Sequence, residues 1–118
     1  MLNIDFQRIY DLISESLPSD WEEIVLYCIS INGSYEVSYF VKRVDIGYKE
    51  CFDLGMPFED IIGILSDLCE LFVSDTMGWR SITVKINSSS EFNSIADYSS
   101  ESISYENYLS NWKKQYLI

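Results

Sequence analysis

Apolar residues recur at helical intervals in three stretches of the chain. In the first stretch, residues 2–17, they are spaced three or four apart and the pattern stops at Pro18, which predicts a helix with one apolar side. The second stretch, 58–72, follows Pro57 and carries a broad apolar stripe that includes Phe58 and Ile62. The third runs from Tyr105 to Tyr116. The pattern therefore predicts three helices, each with a side that packs on something else.

Between these helices the apolar residues follow strand patterns instead. Residues 21–29 become apolar on both faces after Glu23, which is typical of a central strand that is covered on both sides. Asn32-Gly33 follows, the commonest dipeptide of a two-residue hairpin, so the alternating segment 35–41 is predicted to pair with it in antiparallel fashion. Three further strands are predicted over residues 48–53, 82–86 and 92–98.

The predicted order is α-β-β-β-α-β-β-α. Short links within each group of strands favour an antiparallel sheet of about five strands, flanked by helices, which is an α+β fold. The 118 residues suit one domain, residues 1–118, which can bury about two-thirds of the surface of the unfolded chain.

Charge changes this picture more than any other property of the composition. The chain has 19 Asp and Glu against 8 Lys and Arg, so its net charge is 8 − 19 = −11. A field of this sign attracts basic partners and repels nucleic acid and anionic lipid, so neither direct nucleic-acid binding nor membrane binding is expected. The longest apolar run, residues 24–29, is too short to cross a bilayer, and no signal peptide is visible. We therefore expect a cytoplasmic protein.

The residue types also narrow the chemistry that is expected. The chain has no histidine, so it offers no Ser-His-Asp or Cys-His arrangement. Cys28, Cys51 and Cys69 match no metal-binding spacing and lie among apolar neighbours, which predicts reduced thiols inside the fold. The glycines form no phosphate-binding motif, and no aspartate-rich calcium loop is present. We expect no cofactor, no metal and no enzymatic activity, although a small hydrolase that uses separate carboxylates stays open.

An acidic helix face is the most concrete candidate site. Asp60, Asp67 and Glu70 share one side of the second helix, and the seven acids between Lys49 and Arg80 have no basic residue among them. A solvated helix usually alternates Lys with Glu, so this omission indicates a basic partner. Asp97 and Glu101, with Glu106, form a second acidic strip near the last strand. The predicted binding residues are Asp60, Asp67, Glu70, Asp97 and Glu101.

A further set of residues has an order and spacing that can be compared with a known protein family. It comprises Ile9-Tyr10, Leu12-Ile13, Pro18, Trp21, Tyr27, Gly33, Tyr39-Phe40, the helix 58–72, Trp79, Phe92, Asp97-Tyr98, Tyr108, Trp112 and Tyr116-Leu117. In this arrangement the chain resembles the YezG-like antitoxin family, small acidic immunity proteins that accompany secreted polymorphic toxins. It departs from the family at Ser90-Glu91, where Gly-Lys is usual, and at Lys113-Lys114-Gln115, where a further aromatic residue is frequent.

The resemblance implies an immunity protein that works in the cytosol of the producing cell and needs no catalytic group. Its partner would be a cognate toxin, often a nuclease of polymorphic or contact-dependent inhibition systems, whose basic cleft an acidic surface can occupy. Aromatic residues would supply the tight part of such an interface. The alternative function is a non-catalytic adaptor that binds a peptide on its sheet or in a groove.

Overall fold

The secondary structure follows the predicted order. The computed structural model describes residues 5–31, 33–73, 78–89, 91–99 and 102–117. Its elements are α1 (Phe6–Ile13), β1 (Trp21–Ile31), β2 (Ser34–Arg43), β3 (Gly47–Glu50), α2 (Phe58–Val73), β4 (Ser81–Asn87), β5 (Phe92–Asp97) and α3 (Tyr105–Tyr116). This confirms the predicted α+β class and the order α-β-β-β-α-β-β-α.

The strands form one antiparallel sheet in the order β3-β2-β1-β4-β5. Strand β1 lies at the centre, where Tyr27 is opposite Ser38 of β2 on one side and Thr83 of β4 on the other. Six consecutive residues of β1, from Ile24 to Ile29, are buried, because helices cover both faces of the sheet at this strand. The central position predicted for this strand is confirmed. Asn32 of the predicted hairpin lies outside the described residues.

Helices α1 and α2 cover one face of the sheet, and α3 covers the other. The first face is a cluster of buried aliphatic residues in which Ile9, Ile61 and Leu68 of the helices pack on alternate residues of the strands. On the other face, α3 is anchored by Trp112. The indole N–H of Trp112 donates to Thr83 Oγ1 at 2.8 Å, and its ring lies 4.8 Å from that of Tyr27.

Two predicted element boundaries were wrong. The first helix ends at Ile13, and Ser14–Ser16 continue as a 3₁₀ turn in which the Ser16 hydroxyl donates to Ile13 O at 2.6 Å. The third strand ends at Glu50 instead of Asp53, because Cys51–Asp53 turn into a 3₁₀ helix that buries Cys51. Leu2 of the predicted first helix lies outside the described residues.

All three cysteines are free thiols, as predicted. Cys28 and Cys51 are buried, whereas Cys69 is only partly so. Burial raises the pKa of each thiol above its ordinary value, so thiolate is scarce at neutral pH.

Candidate functional site

The outer side of α2 is an acidic face, as the spacing predicts. Asp60, Asp67 and Glu70 are all exposed, together with Glu59, while Ile61, Leu68 and Phe72 on the opposite side are buried. Residues seven and ten positions apart return to neighbouring angles on a helix. These carboxylates therefore face solvent together from one rigid element. We call this side of α2, with residues 59, 60, 67 and 70, the acidic face.

Three lysines lie on the other side of the sheet, away from the acidic face, whereas Arg8 is on α1 and Lys49 is opposite Val41 at the β3 edge. Lys42 lies 5.8 Å from the ring centre of Tyr48, and Lys85 lies at the same distance from Tyr116. Lys113, on α3, stands over Phe40. Within the described residues the salt bridge joins Arg43 to Asp20, in the segments that flank β1 and end β2. The α2 segment itself carries no basic residue, so its acids have no oppositely charged partner on their own helix.

Gly63 interrupts the acidic face and leaves a notch in it. It lies in the interior of α2, where glycine costs about 1 kcal/mol of helix stability relative to alanine. A Cβ atom built at Gly63 would meet nothing within 4 Å, so packing inside the fold does not require a glycine there. On the helix surface Gly63 lies one turn after Glu59 and one turn before Asp67. The missing side chain allows another molecule to approach the helix backbone closely at this point.

An exposed aromatic pair borders the acidic face at the start of α2. The Phe58 side chain is 66% exposed, and its ring stacks on that of Phe52 at a centroid distance of 5.5 Å. Ile62, one turn further along, is 44% exposed. Two stacked phenylalanines in water are costly to leave uncovered, and such patches on small proteins mark interaction sites. We call Phe52, Phe58 and Ile62 the apolar patch.

The sequence pattern placed Phe58 and Ile62 in the apolar stripe of α2 without indicating that they are exposed. The stripe spans about 120° of the helix, more than the sheet covers. Ile61, Leu68 and Phe72 on one half of the stripe are buried, whereas Phe58 and Ile62 on the other half reach solvent. The width of the stripe was the feature that could have revealed the patch. Phe52 could not have been found this way, since it belongs to the turn that replaces the end of the predicted third strand.

Asp97 lies apart from the acidic face. It ends β5 opposite Ser81, and Trp112 of α3 bonds Thr83 on the same face of the sheet, so Asp97 belongs to the α3 side. Its carboxylate accepts hydrogen bonds from the Tyr108 hydroxyl and from the N–H of Ser99 at 2.8 Å. The structure therefore brings Asp60, Asp67 and Glu70 together and does not bring Asp97 to them. Glu101 lies outside the described residues.

A groove runs between β5 and α3 beside Asp97. Its volume is about 430 Å³, and Ile95, Asn111 and Gln115 line it together with the Arg80–Tyr108 pair. The guanidinium of Arg80 lies 4.4 Å from the ring centre of Tyr108 and donates to Ile103 O at 3.3 Å. A smaller cavity of about 250 Å³ lies against the same pair and extends towards Tyr105. The groove is mixed in character, with amides, hydroxyls and aromatic rings side by side.

The surroundings of Asp97 lower the pKa of its carboxyl. Burial by itself would raise the pKa of this carboxyl, but the bonds from Tyr108 and Ser99, with Arg80 nearby, outweigh burial and lower it below its ordinary value. The same contact, together with burial, raises the pKa of Tyr108 to about 12. Asp97 is thus ionised in the folded chain at neutral pH.

Because the pKa of Asp97 is lowered in the folded chain, its contribution to the free energy of unfolding depends on pH. A carboxyl with a lower pKa in the folded than in the unfolded state stabilises the fold above the unfolded value, and the effect is lost as pH falls through the folded value. We expect Asp97→Asn to reduce the free energy of unfolding by about 1 kcal/mol at pH 7 and by much less at pH 3. Urea denaturation at both pH values measures this, and an equal loss at both would contradict it.

Neither a metal centre nor a membrane span is found in the described part of the chain. In residues 5–31, 33–73, 78–89, 91–99 and 102–117, no three Cys, Asp or Glu side chains are grouped as a metal ion requires. Within the same ranges no helix has the length and apolar character needed to cross a bilayer.

Comparison with known proteins assigns no family to the chain. No protein-family model matches it, and no curated protein matches it significantly. The resemblance to YezG-like antitoxins stays a prediction that depends on the residues quoted above.

Proposed function

We propose that this chain is an immunity protein that binds a cognate secreted toxin in the cytoplasm of the producing cell and neutralises it by stoichiometric binding. The observation that carries the proposal is the acidic face of α2, whose carboxylates are exposed together on a helix without a basic residue, beside the exposed Phe52–Phe58 pair. The partner we infer is a toxin domain with a basic surface, such as the phosphate-binding cleft of a nuclease. The resemblance to antitoxins supports the same function.

Each part of this surface supplies a different part of binding. The field of a chain with net charge −11 draws a cationic partner in and raises the rate of encounter. The apolar patch supplies the desolvated contact from which most binding energy comes, since aromatic anchors surrounded by polar groups form the centre of tight interfaces. The notch at Gly63 lets a lysine or arginine of the partner reach between Glu59 and Asp67.

A second candidate function is a peptide-binding adaptor. The groove between β5 and α3 favours it, because its volume of about 430 Å³ and its mixture of amides and aromatic rings suit a short peptide. An adaptor that uses this groove would bind its partner through the α3 side and would not need the acidic face of α2.

Co-expression in a bacterial host tests the proposed function. The probe is the C-terminal domain of a secreted protein encoded beside this gene, which should arrest growth alone and be tolerated with this chain. Asp67→Lys with Glu70→Lys should reduce the protection, because two attractive charges become repulsive. Asp11→Lys with Glu15→Lys is the matched control, since both residues are exposed, Asp11 on α1 and Glu15 in the turn that follows it, and the net charge changes equally.

The possible outcomes test the immunity function and the binding surface separately. Growth arrest that the unaltered chain does not relieve would contradict the immunity function. Relief that is equal for the α2 and α1 variants would keep the function but contradict the acidic face as its binding surface.

A further inference from the structure

Strand β5 forms an open edge of the sheet. It pairs with β4 from Ser81–Asp97 to Ile86–Phe92 without a bulge, and no described strand lies on its other side. Natural edge strands are usually protected by lysine, proline, a bulge or very short length. The opposite edge, β3, has four residues and includes Lys49, whereas β5 has six residues, Phe-Asn-Ser-Ile-Ala-Asp, with neither lysine nor proline. Among the residues that the structure describes, the β5 edge therefore carries none of these protections.

The peptide groups of β5 that face outward can be assigned from the ladder. The N–H of Asn87 donates to Glu91 O at 3.1 Å, which marks this pair as hydrogen-bonded. Bonded and non-bonded pairs alternate along an antiparallel ladder, so residues 93, 95 and 97 bond β4. The N–H and C=O groups of Phe92, Ser94 and Ala96 consequently point away from the sheet, where an added strand would bond them.

The side chains and charges of this edge indicate what such a strand would be. Ile95 is 42% exposed and offers apolar contact to a neighbouring strand. Phe92, 39% exposed on the opposite face, packs its ring 5.1 Å from that of Phe6 and leaves part of its side chain free for such a contact. Glu91 precedes β5 and Asp97 ends it. Asp97 is already hydrogen-bonded to Tyr108 and Ser99, and Lys85 of β4 lies opposite Asn93, so the exposed Glu91 and the net charge of −11 are what favour a basic segment. An extended segment that carries lysine or arginine complements this edge.

We propose that the outer edge of β5 binds an extended basic segment of a partner polypeptide by strand addition, in which backbone hydrogen bonds give affinity and the acids select positive charge. A second copy of this chain is a poorer occupant, since it would bring another −11 charge and the same acids to the edge. The surface is separate from the acidic face, because α2 packs over β2 on the far side of β1. It thus goes beyond the proposed function.

Amide exchange with a synthetic peptide tests the proposal without any toxin. The probe is acetyl-Lys-Thr-Val-Lys-Val-Thr-Lys-amide, and its control has glutamate in place of each lysine. At saturation, amides of Phe92, Ser94 and Ala96 should exchange about tenfold more slowly, whereas those of Asn93 and Ile95, already bonded to β4, should change little. Uniform changes, changes elsewhere, or equal protection by the acidic peptide would overturn the proposal. Protection of the same amides on concentrating the chain alone would assign the edge to a second copy and would also overturn it.

A proline variant supplies a second test. Ser94→Pro removes one outward N–H and leaves the bonds to β4 intact, so the fold should persist while the peptide no longer protects Phe92 and Ala96. Ser94→Thr keeps the N–H and is the matched control, for which protection should match that of the unaltered chain. Protection that survives Ser94→Pro would contradict strand addition. If the proline variant does not fold, the alternating exchange pattern of the unaltered chain still decides the matter.

Discussion

Replacing Phe58 with alanine is expected to weaken the binding of the toxin domain by about 30-fold, roughly 2 kcal/mol, which is typical of an aromatic residue at the centre of an interface. Phe58 is 66% exposed, so its removal creates no cavity and should leave the free energy of unfolding nearly unchanged. The loss should appear as faster dissociation, since the charges that govern encounter are untouched. Surface plasmon resonance measures both rates.

Ile46→Ala is the matched control for Phe58. Ile46 is also an exposed apolar side chain, at 50%, but it lies in the β2–β3 turn and outside the apolar patch. Its removal should change affinity less than about threefold. Equal effects of the two variants, or no effect of Phe58→Ala, would show that the apolar patch is not the anchor of the interface.

Gly63→Gln is expected to change stability and binding in opposite directions. Glutamine is a good helix former, and the site has open space, so the free energy of unfolding should rise by about 0.5–1 kcal/mol. Its side chain would fill the notch between Glu59 and Asp67, which should weaken toxin binding by about tenfold through a steric clash. Thermal denaturation and titration calorimetry measure the two effects.

Gly63→Ala separates the effect of filling the notch on toxin binding from the effect of glycine on helix stability. Alanine gives the same or a larger gain in helix stability but adds only a methyl group, so most of the affinity should remain. If both variants bind as well as the unaltered chain, the glycine has no role in partner approach. If neither variant is more stable, the stated cost of glycine at this position is wrong.

The sequence pattern predicted most of the fold for physical reasons that can be named. The central strand was found because residues 24–29 are apolar on both faces, which only coverage on both sides explains. The last helix was found from its apolar spacing, although that spacing cannot say that Trp112 docks it on the sheet face opposite α1 and α2. Boundaries failed where a 3₁₀ turn replaced regular structure, as at Cys51–Asp53.

The candidate site was only partly predictable. The side of a helix on which a residue lies follows from the helical repeat, so the acids of α2 were correctly placed on one exposed face. Asp97 could not be placed relative to them, because the face to which a strand residue points depends on pairing register. The apolar patch was missed because Phe52 and Phe58 belong to different elements, which meet only in the folded chain.

Ionic strength is the sharpest probe of whether charge brings the toxin domain to this chain. The association rate of the unaltered chain should fall about 100-fold between about 20 mM and 0.5 M salt, because screening removes the attraction. Asp67→Lys with Glu70→Lys should start lower and fall less, whereas Asp11→Lys with Glu15→Lys should lose less of the salt dependence. An association rate that is the same at both salt concentrations would contradict the claim that the acidic face captures a cationic partner.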